Sequence, residues 1–162
     1  FHMLQRLFSF PNPVNEVSAR LVAGGVVLLC LATIAIDLPW MTAVIAYGFL
    51  ARVLTGPTLS PLGQFVTRVV TPRLGVPEKL VAGPPKRFAQ GIGATLSVTA
   101  AVLALGLGDV TAAYVVLGLI VIAATLESVF WGALLQAQSG AMTYRQMARQ
   151  LETMVAVILP DI

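Results

Sequence analysis

Charge is scarce in this chain: of 162 residues only 10% are Asp, Glu, Lys or Arg, whereas 57% are hydrophobic. Soluble domains carry about 25% charged residues, so an ordinary soluble fold is excluded. Cysteine and histidine are scarcer still, one each, Cys30 and His2. A lone thiol cannot close an internal disulfide, and one histidine beside one cysteine cannot assemble a zinc or iron–sulfur ligand set. No metal and no cofactor are expected. Nucleophile sets of the Ser/His/Asp kind and Walker-type phosphate loops are also missing, so no residue is given a catalytic role. Cys30, in the middle of an apolar run, reads as a small packing residue.

Apolar length is what the chain has in abundance. Four stretches, 17–36, 38–55, 88–107 and 112–135, come close to or exceed the roughly 17–20 residues that a bilayer core requires, the second being the shortest. The sequence therefore predicts an all-α integral membrane four-helix bundle made of two antiparallel hairpins. A lead over 1–16, a transmembrane domain over 17–135 with a cytoplasmic loop at 56–87, and an amphipathic tail over 136–162 complete the division. The first apolar run follows a polar, proline-bearing lead and precedes no small-residue cleavage site, so it is expected to remain in the mature protein.

Local signals refine these elements. Asn15 is placed to cap the first helix, and Asp37-Leu38-Pro39 makes a tight turn with Pro39 in the first turn of the second. Ser60-Pro61 signals a helix start, and Leu62, Phe65, Val66, Val69 and Val70 recur at helical spacing. That pattern predicts a short interfacial helix on the membrane surface or beneath the bundle. Pro72, Gly75, Pro77 and Gly83-Pro84-Pro85 are expected to break structure up to Lys86 and Arg87. In the third span, Gly93 and Ser97 form a small-residue pair that allows close helix approach. Beyond Met142, residues Met147, Leu151, Met154, Val155 and Ile158 share one face opposite Arg145, Gln146, Arg149 and Glu152, which predicts a C-terminal surface helix.

Charge placement orients the spans. All 10 Lys and Arg fall in the lead, the middle loop, the tail or the span ends beside them, while the two short hairpins carry only Asp37 and Asp109. The positive-inside rule then puts both termini and the middle loop in the cytoplasm. A net charge of +3 is explained by a basic rim facing anionic lipid and requires no nucleic acid.

Depth counting gathers the intramembrane charges. Arg20 lies sixteen residues before Ile36, Arg52 fourteen after Leu38, Gln90 seventeen before Leu107 and Glu127 fifteen after Ala112. At about 1.5 Å per residue, each is about 21–26 Å from the outer edge of a core about 30 Å thick. Charge there is costly unless paired, and Glu127, too short to reach the interface, is expected to find Arg20 or Arg52. Glu16 stands one turn before Arg20 in the favourable acidic-before-basic order. With Asn15, Lys86 and Arg87 at its mouth, this layer is expected to fix helix register or to form a cytoplasm-facing site for an anion or partner. A proton or ion path is a third reading, with only Thr33, Thr95 and Thr99 continuing outward.

The blocks Val14-Asn15-Glu16-x-x-Ala19-Arg20, Tyr47-Gly48-Phe49-Leu50-Ala51-Arg52 with Gly56-Pro57 and Ser60-Pro61-Leu62-Gly63, Gly83-Pro84-Pro85-Lys86-Arg87-Phe88-Ala89-Gln90-x-Ile92-Gly93, and Leu126-Glu127-Ser128 together resemble domain-of-unknown-function family 4395. The resemblance covers about Asn12–Phe130. It implies a small four-helix protein of the bacterial inner membrane without an established activity. The family pattern also places a Cys-Leu-Gly-Cys pair shortly after Leu-Glu-Ser, suited to disulfide exchange or sulfur transfer with thioredoxin-like or sulfurtransferase-like partners. Here the chain reads Val129-Phe130-Trp131-Gly132-Ala133-Leu134-Leu135, so that chemistry passes to no residue. The leading expectation is a noncatalytic membrane protein whose partners are the bilayer, a second copy of itself and a cytoplasmic protein. The alternatives are a membrane thiol-redox or sulfur-transfer component and a small-solute or ion transporter.

Overall fold

The structure is a computed structural model that describes residues 2–138, 140 and 143–159. It divides into two compact units, Phe1–Val121 and Ile122–Ile162. In the first, a short helix α1 (His2–Leu7) precedes strand β1 (Val14–Asn15), and α2 (Glu16–Ile36) follows at once. The Asn15 side chain accepts from Val17 N at 3.1 Å, capping α2 as its residue type favours. α2 ends at Asp37, whose left-handed backbone (φ 55°) lets Leu38 N return to Thr33 O at 3.0 Å.

Helix α3 (Met41–Thr55) is shorter than its apolar run suggests. Leu38, Pro39 and Trp40 are spent on the turn, where Thr42 Oγ1 donates to Pro39 O at 2.6 Å, so Pro39 precedes the helix instead of opening it. Helix α4 (Pro61–Phe65) passes through one π-helical turn, Val66–Val70, into α5 (Thr71–Leu74). The wider turn lets Thr71 N reach Val66 O, and Pro72, which has no N–H, follows without ending the helical path. Strand β2 (Leu80–Val81) pairs antiparallel with β1. Two-residue strands are too short to display alternation, which is why this ribbon has no sequence signature.

Helix α6 (Gly83–Ala101) starts five residues before the predicted span. Pro84 and Pro85 occupy its first turn, where a missing N–H costs nothing, so they begin the helix instead of breaking structure. A π-turn, Val102–Gly106, extends it, and Asp109 Oδ1 then caps α7 (Val110–Gln138) by accepting from Ala112 N at 2.9 Å. Gly83–Gly106, Glu16–Ile36 and Val110–Ala137 are long and apolar enough to cross a membrane, whereas Met41–Thr55 falls short of that length. These spans point to a membrane protein.

One apolar core in the first unit draws on α2, α3, α6 and the start of α7: Val26 and Cys30, Ile45 and Phe49, Ala94 and Ala100, Leu117 and Ile120. α3 and α6 are the most closely packed pair, because Gly93 has no side chain where the Phe49 ring lies. At the opposite end from the basic residues, Tyr114 donates to Asp37 Oδ1 at 2.7 Å, tying α7 to the α2–α3 turn.

The segment after α3 packs against α2. Leu62 packs where a Gly25 side chain would begin, while Thr71 and Ser18 share a hydroxyl bond of 2.9 Å. Gly25 and Ser18 are nine and two residues beyond Glu16, about 14 and 3 Å along α2. The segment thus runs beside α2. Its turn is satisfied by side chains: Ser60 Oγ accepts from Gly63 N, Thr55 Oγ1 from Leu59 N, Tyr47 donates to Leu59 O, and Gln64 donates to Thr58 O.

In the second unit, α7 runs on to Gln138, three residues past the predicted end of the span at Leu135. α8 (Tyr144–Ile158) opens with a reciprocal capping box between Thr143 and Gln146. The predicted start at Met142 lies outside the described residues. Met147, Leu151, Met154 and Ile158 are half-buried on one face, with Arg145, Arg149 and Glu152 exposed.

Placing even a methyl group on Gly93 should overlap the Phe49 ring. Gly93→Ala is expected to destabilise by about 1–3 kcal/mol, seen as a lower thermal midpoint in detergent, and Phe49→Leu should restore part of the loss. Gly24→Ala, with open space around it, should unfold at the wild-type temperature or above.

Candidate functional site

The polar residues at the basic end of the first unit gather around two centres. The first centres on Glu16, 1% exposed at the start of α2. Arg20 Nε donates to its Oε1 at 3.1 Å, one turn along the helix as predicted from the spacing. Lys86, expected only at the mouth, reaches Glu16 from α6: its Nζ is 3.0 Å from Oε2 and 3.3 Å from Oε1. Lys86 is buried and Arg20 is about one-third exposed, so the acid joins an interior cation to a peripheral one.

The chain around this cluster is built to hold it. Glu16 N donates to Lys79 O at 2.7 Å, continuing the β1–β2 ribbon into α2. Asn12 Oδ1 accepts from Gly83 N at 3.0 Å. The lead passes so close that side chains at Gly56 or Gly83 would strike Pro11, and Gly56 also has a left-handed φ of 64°. Arg87 stays exposed, donating to Val53 O at 3.2 Å and lying 5.9 Å from the Phe10 ring centroid.

The second cluster centres on Arg52, 5% exposed. Its Nε donates to Gln90 Oε1 at 3.0 Å and its Nη1 to Ser60 Oγ at 3.2 Å, and the guanidinium carbon lies 4.6 Å from the Phe49 ring centroid. The Arg52–Gln90 pairing matches the depth count. The direction of the side chain does not match snorkelling: it folds back one turn, with Nη1 3.3 Å from where a Gly48 Cβ would sit. Helical side chains lean toward the N-terminus, which for α3 is the end remote from the basic residues. Among the described residues, no carboxylate forms an ion pair with Arg52.

Sequence reasoning missed Ser60 and Gly48. Ser60-Pro61 reads in the sequence only as a helix start, and the signal for Gly48 is a glycine one turn before an arginine in an apolar helix, which leaves room for the guanidinium. Asn15 acts as a cap, not as a member of either cluster. Glu127, predicted to join the same layer, lies half-buried in the second unit, beside Ser128, whose hydroxyl donates to Ala124 O at 2.9 Å.

Other polar groups offer little for transport or thiol chemistry. Thr33, Thr95 and Thr99 donate to Leu29 O, Gly91 O and Thr95 O of their own helices. Cys30 is fully buried in the core.

Three helices long and apolar enough to cross a membrane point to a small helical membrane protein. The chain belongs to the family described as Domain of unknown function (DUF4395), whose model matches residues 14–134. That stretch holds both clusters. Comparison with curated proteins finds no match, and comparison with solved structures finds none.

Removing Glu16 deprives the buried Lys86 ammonium of a carboxylate oxygen 3.0 Å away. Glu16→Gln is expected to cost about 1–3 kcal/mol in denaturant unfolding in micelles, whereas Glu16→Gln with Lys86→Met should recover part of it. Losses that merely add would show that the two groups are not coupled.

Proposed function

We propose that this chain is a noncatalytic protein of the bacterial inner membrane that presents a rigid basic surface to an acidic cytoplasmic protein. The observation behind this reading is the stretch from Arg68 to Arg87. Arg68, Arg73, Lys79 and Arg87 are all exposed along it, and Glu78 is its one acid. Both termini and this stretch face the cytoplasm under the positive-inside rule. α3 completes the fourth crossing, its short length made up by the turns at either end.

Buried and exposed charge have different tasks here. Glu16, Lys86 and Arg20 answer one another, which favours a structural role for them over capture of a free anion. They fix the ends of α2 and α6, and the ribbon between Val14–Asn15 and Leu80–Val81 holds the basic stretch against them. A surface held in place loses little entropy on docking, and clustered positive charge speeds encounter with an acidic partner. Burial of the single thiol weighs against thiol exchange.

A photo-reactive residue placed at Val76, which is 47% exposed, should yield a protein adduct in native membranes. Arg73→Glu combined with Lys79→Glu should abolish that adduct, and raised ionic strength should weaken it. Adducts with lipid alone, or a protein adduct indifferent to the double reversal, would reject the docking surface.

A further inference from the structure

A groove in the first unit lies apart from the basic surface. It encloses about 340 Å³ among α2, α3 and α4, with Val26 and Leu29 on one wall, Val44 and Ile45 on another, and Leu62 and Phe65 across from them. Val44, Tyr47 and Phe65 are 45%, 54% and 56% exposed, so its flank is open along the apolar surface of the bundle. One end is polar, formed by Arg52 and Ser60. From Arg52 to Val44 is eight residues of α3, about 12 Å.

The chemistry at that end is one-sided. A guanidinium has five N–H donors, and Arg52 uses one on Gln90 and one on Ser60, leaving Nη2 without a partner among the described residues. Ser60 Oγ accepts from Arg52 Nη1 and from Gly63 N, which fills its acceptor capacity and leaves its own hydrogen to donate. The two side chains, 5% and 0% exposed, therefore have only donors left. A buried cation with neutral partners and spare donors calls for an anionic acceptor.

We propose that this groove binds a long-chain carboxylate, with its acid group on Arg52, which Ser60 holds in place, and its alkyl chain along Leu29, Val44 and Ile45. A carboxylate offers two oxygens in the planar geometry that guanidinium matches. The volume is at the small end of ligand pockets, enough for one chain and not for the two chains and larger headgroup of a phospholipid. Apolar walls open toward lipid give such a molecule a route of entry that a free, water-borne anion lacks. The inward fold of Arg52 over Gly48 follows from the same arrangement: it keeps the cation at the groove instead of the interface.

The full chain, purified in detergent, would be titrated with radiolabelled palmitate and with methyl palmitate. Saturable palmitate binding is expected, with Arg52→Gln weakening it about ten- to hundredfold. The uncharged ester should bind wild type and Arg52→Gln equally and weakly. Val44→Trp fills the groove from a partly exposed position and leaves Arg52 intact, so it should block palmitate while melting as wild type. Should Arg52→Gln fail to fold, the ester comparison and Val44→Trp still decide. Equal binding of acid and ester by wild type, unchanged binding by Val44→Trp, or displacement of palmitate by phosphatidylglycerol at equal concentration would overturn the assignment.

Discussion

A charged group inside an apolar bundle has to be answered where it stands, and the buried carboxylate of Glu16 is where this structure meets that demand most directly. Its two cations come from one turn along α2 and from the first turns of α6. Because Glu16 also continues the β1–β2 ribbon through its N–H to Lys79 O, one residue joins the lead, the middle stretch and two spanning helices. An unpaired Lys86 at this depth would be costly, so the pair constrains the relative height of α2 and α6 more tightly than apolar packing can. Sliding a greasy helix by a few ångströms costs little. Sliding Lys86 off Glu16 breaks a buried ion pair.

Arg52 does the same for α3, with neutral partners. Gln90 holds it to α6 and Ser60 to the segment that follows α3, while the face of Phe49 supplies the rest of its surroundings. Glycine matters at two points of this arrangement. Gly48 makes room for the guanidinium, and Gly93 makes room for the ring beneath it. α3 therefore carries its cation on the face that packs closest to α6, and the short helix is held by polar bonds and ring contact together.

Helices whose signal is local were legible in the sequence. α2, with Asn15 as cap, and α7, with continuous apolar length, follow from composition and one capping residue. The i,i+4 pair of Glu16 and Arg20 and the shared depth of Arg52 and Gln90 follow from helical rise alone. Elements set by contacts between distant segments were not legible. Lys86 joins Glu16 across seventy residues, and the two-residue ribbon beside it has no periodicity to read. Prolines misled in a consistent way: at Pro84 and Pro85 they open a helix, and at Pro72 a preceding π-turn absorbs the lost hydrogen bond, so neither site is the break that proline usually signals.

The segment from Ser60 to Leu74 is the element with the widest consequences. The turn that leads into it, at 56–60, has backbone groups answered by Thr55, Tyr47, Ser60 and Gln64. The same turn delivers Ser60 to Arg52. In this way a loop that composition describes only as rich in glycine and proline provides the groove's polar end, and its later residues, from Arg68 onward, provide the exposed basic surface. Apolar ligand and protein partner would thus be read by two ends of one segment, separated by the stretch that packs against α2.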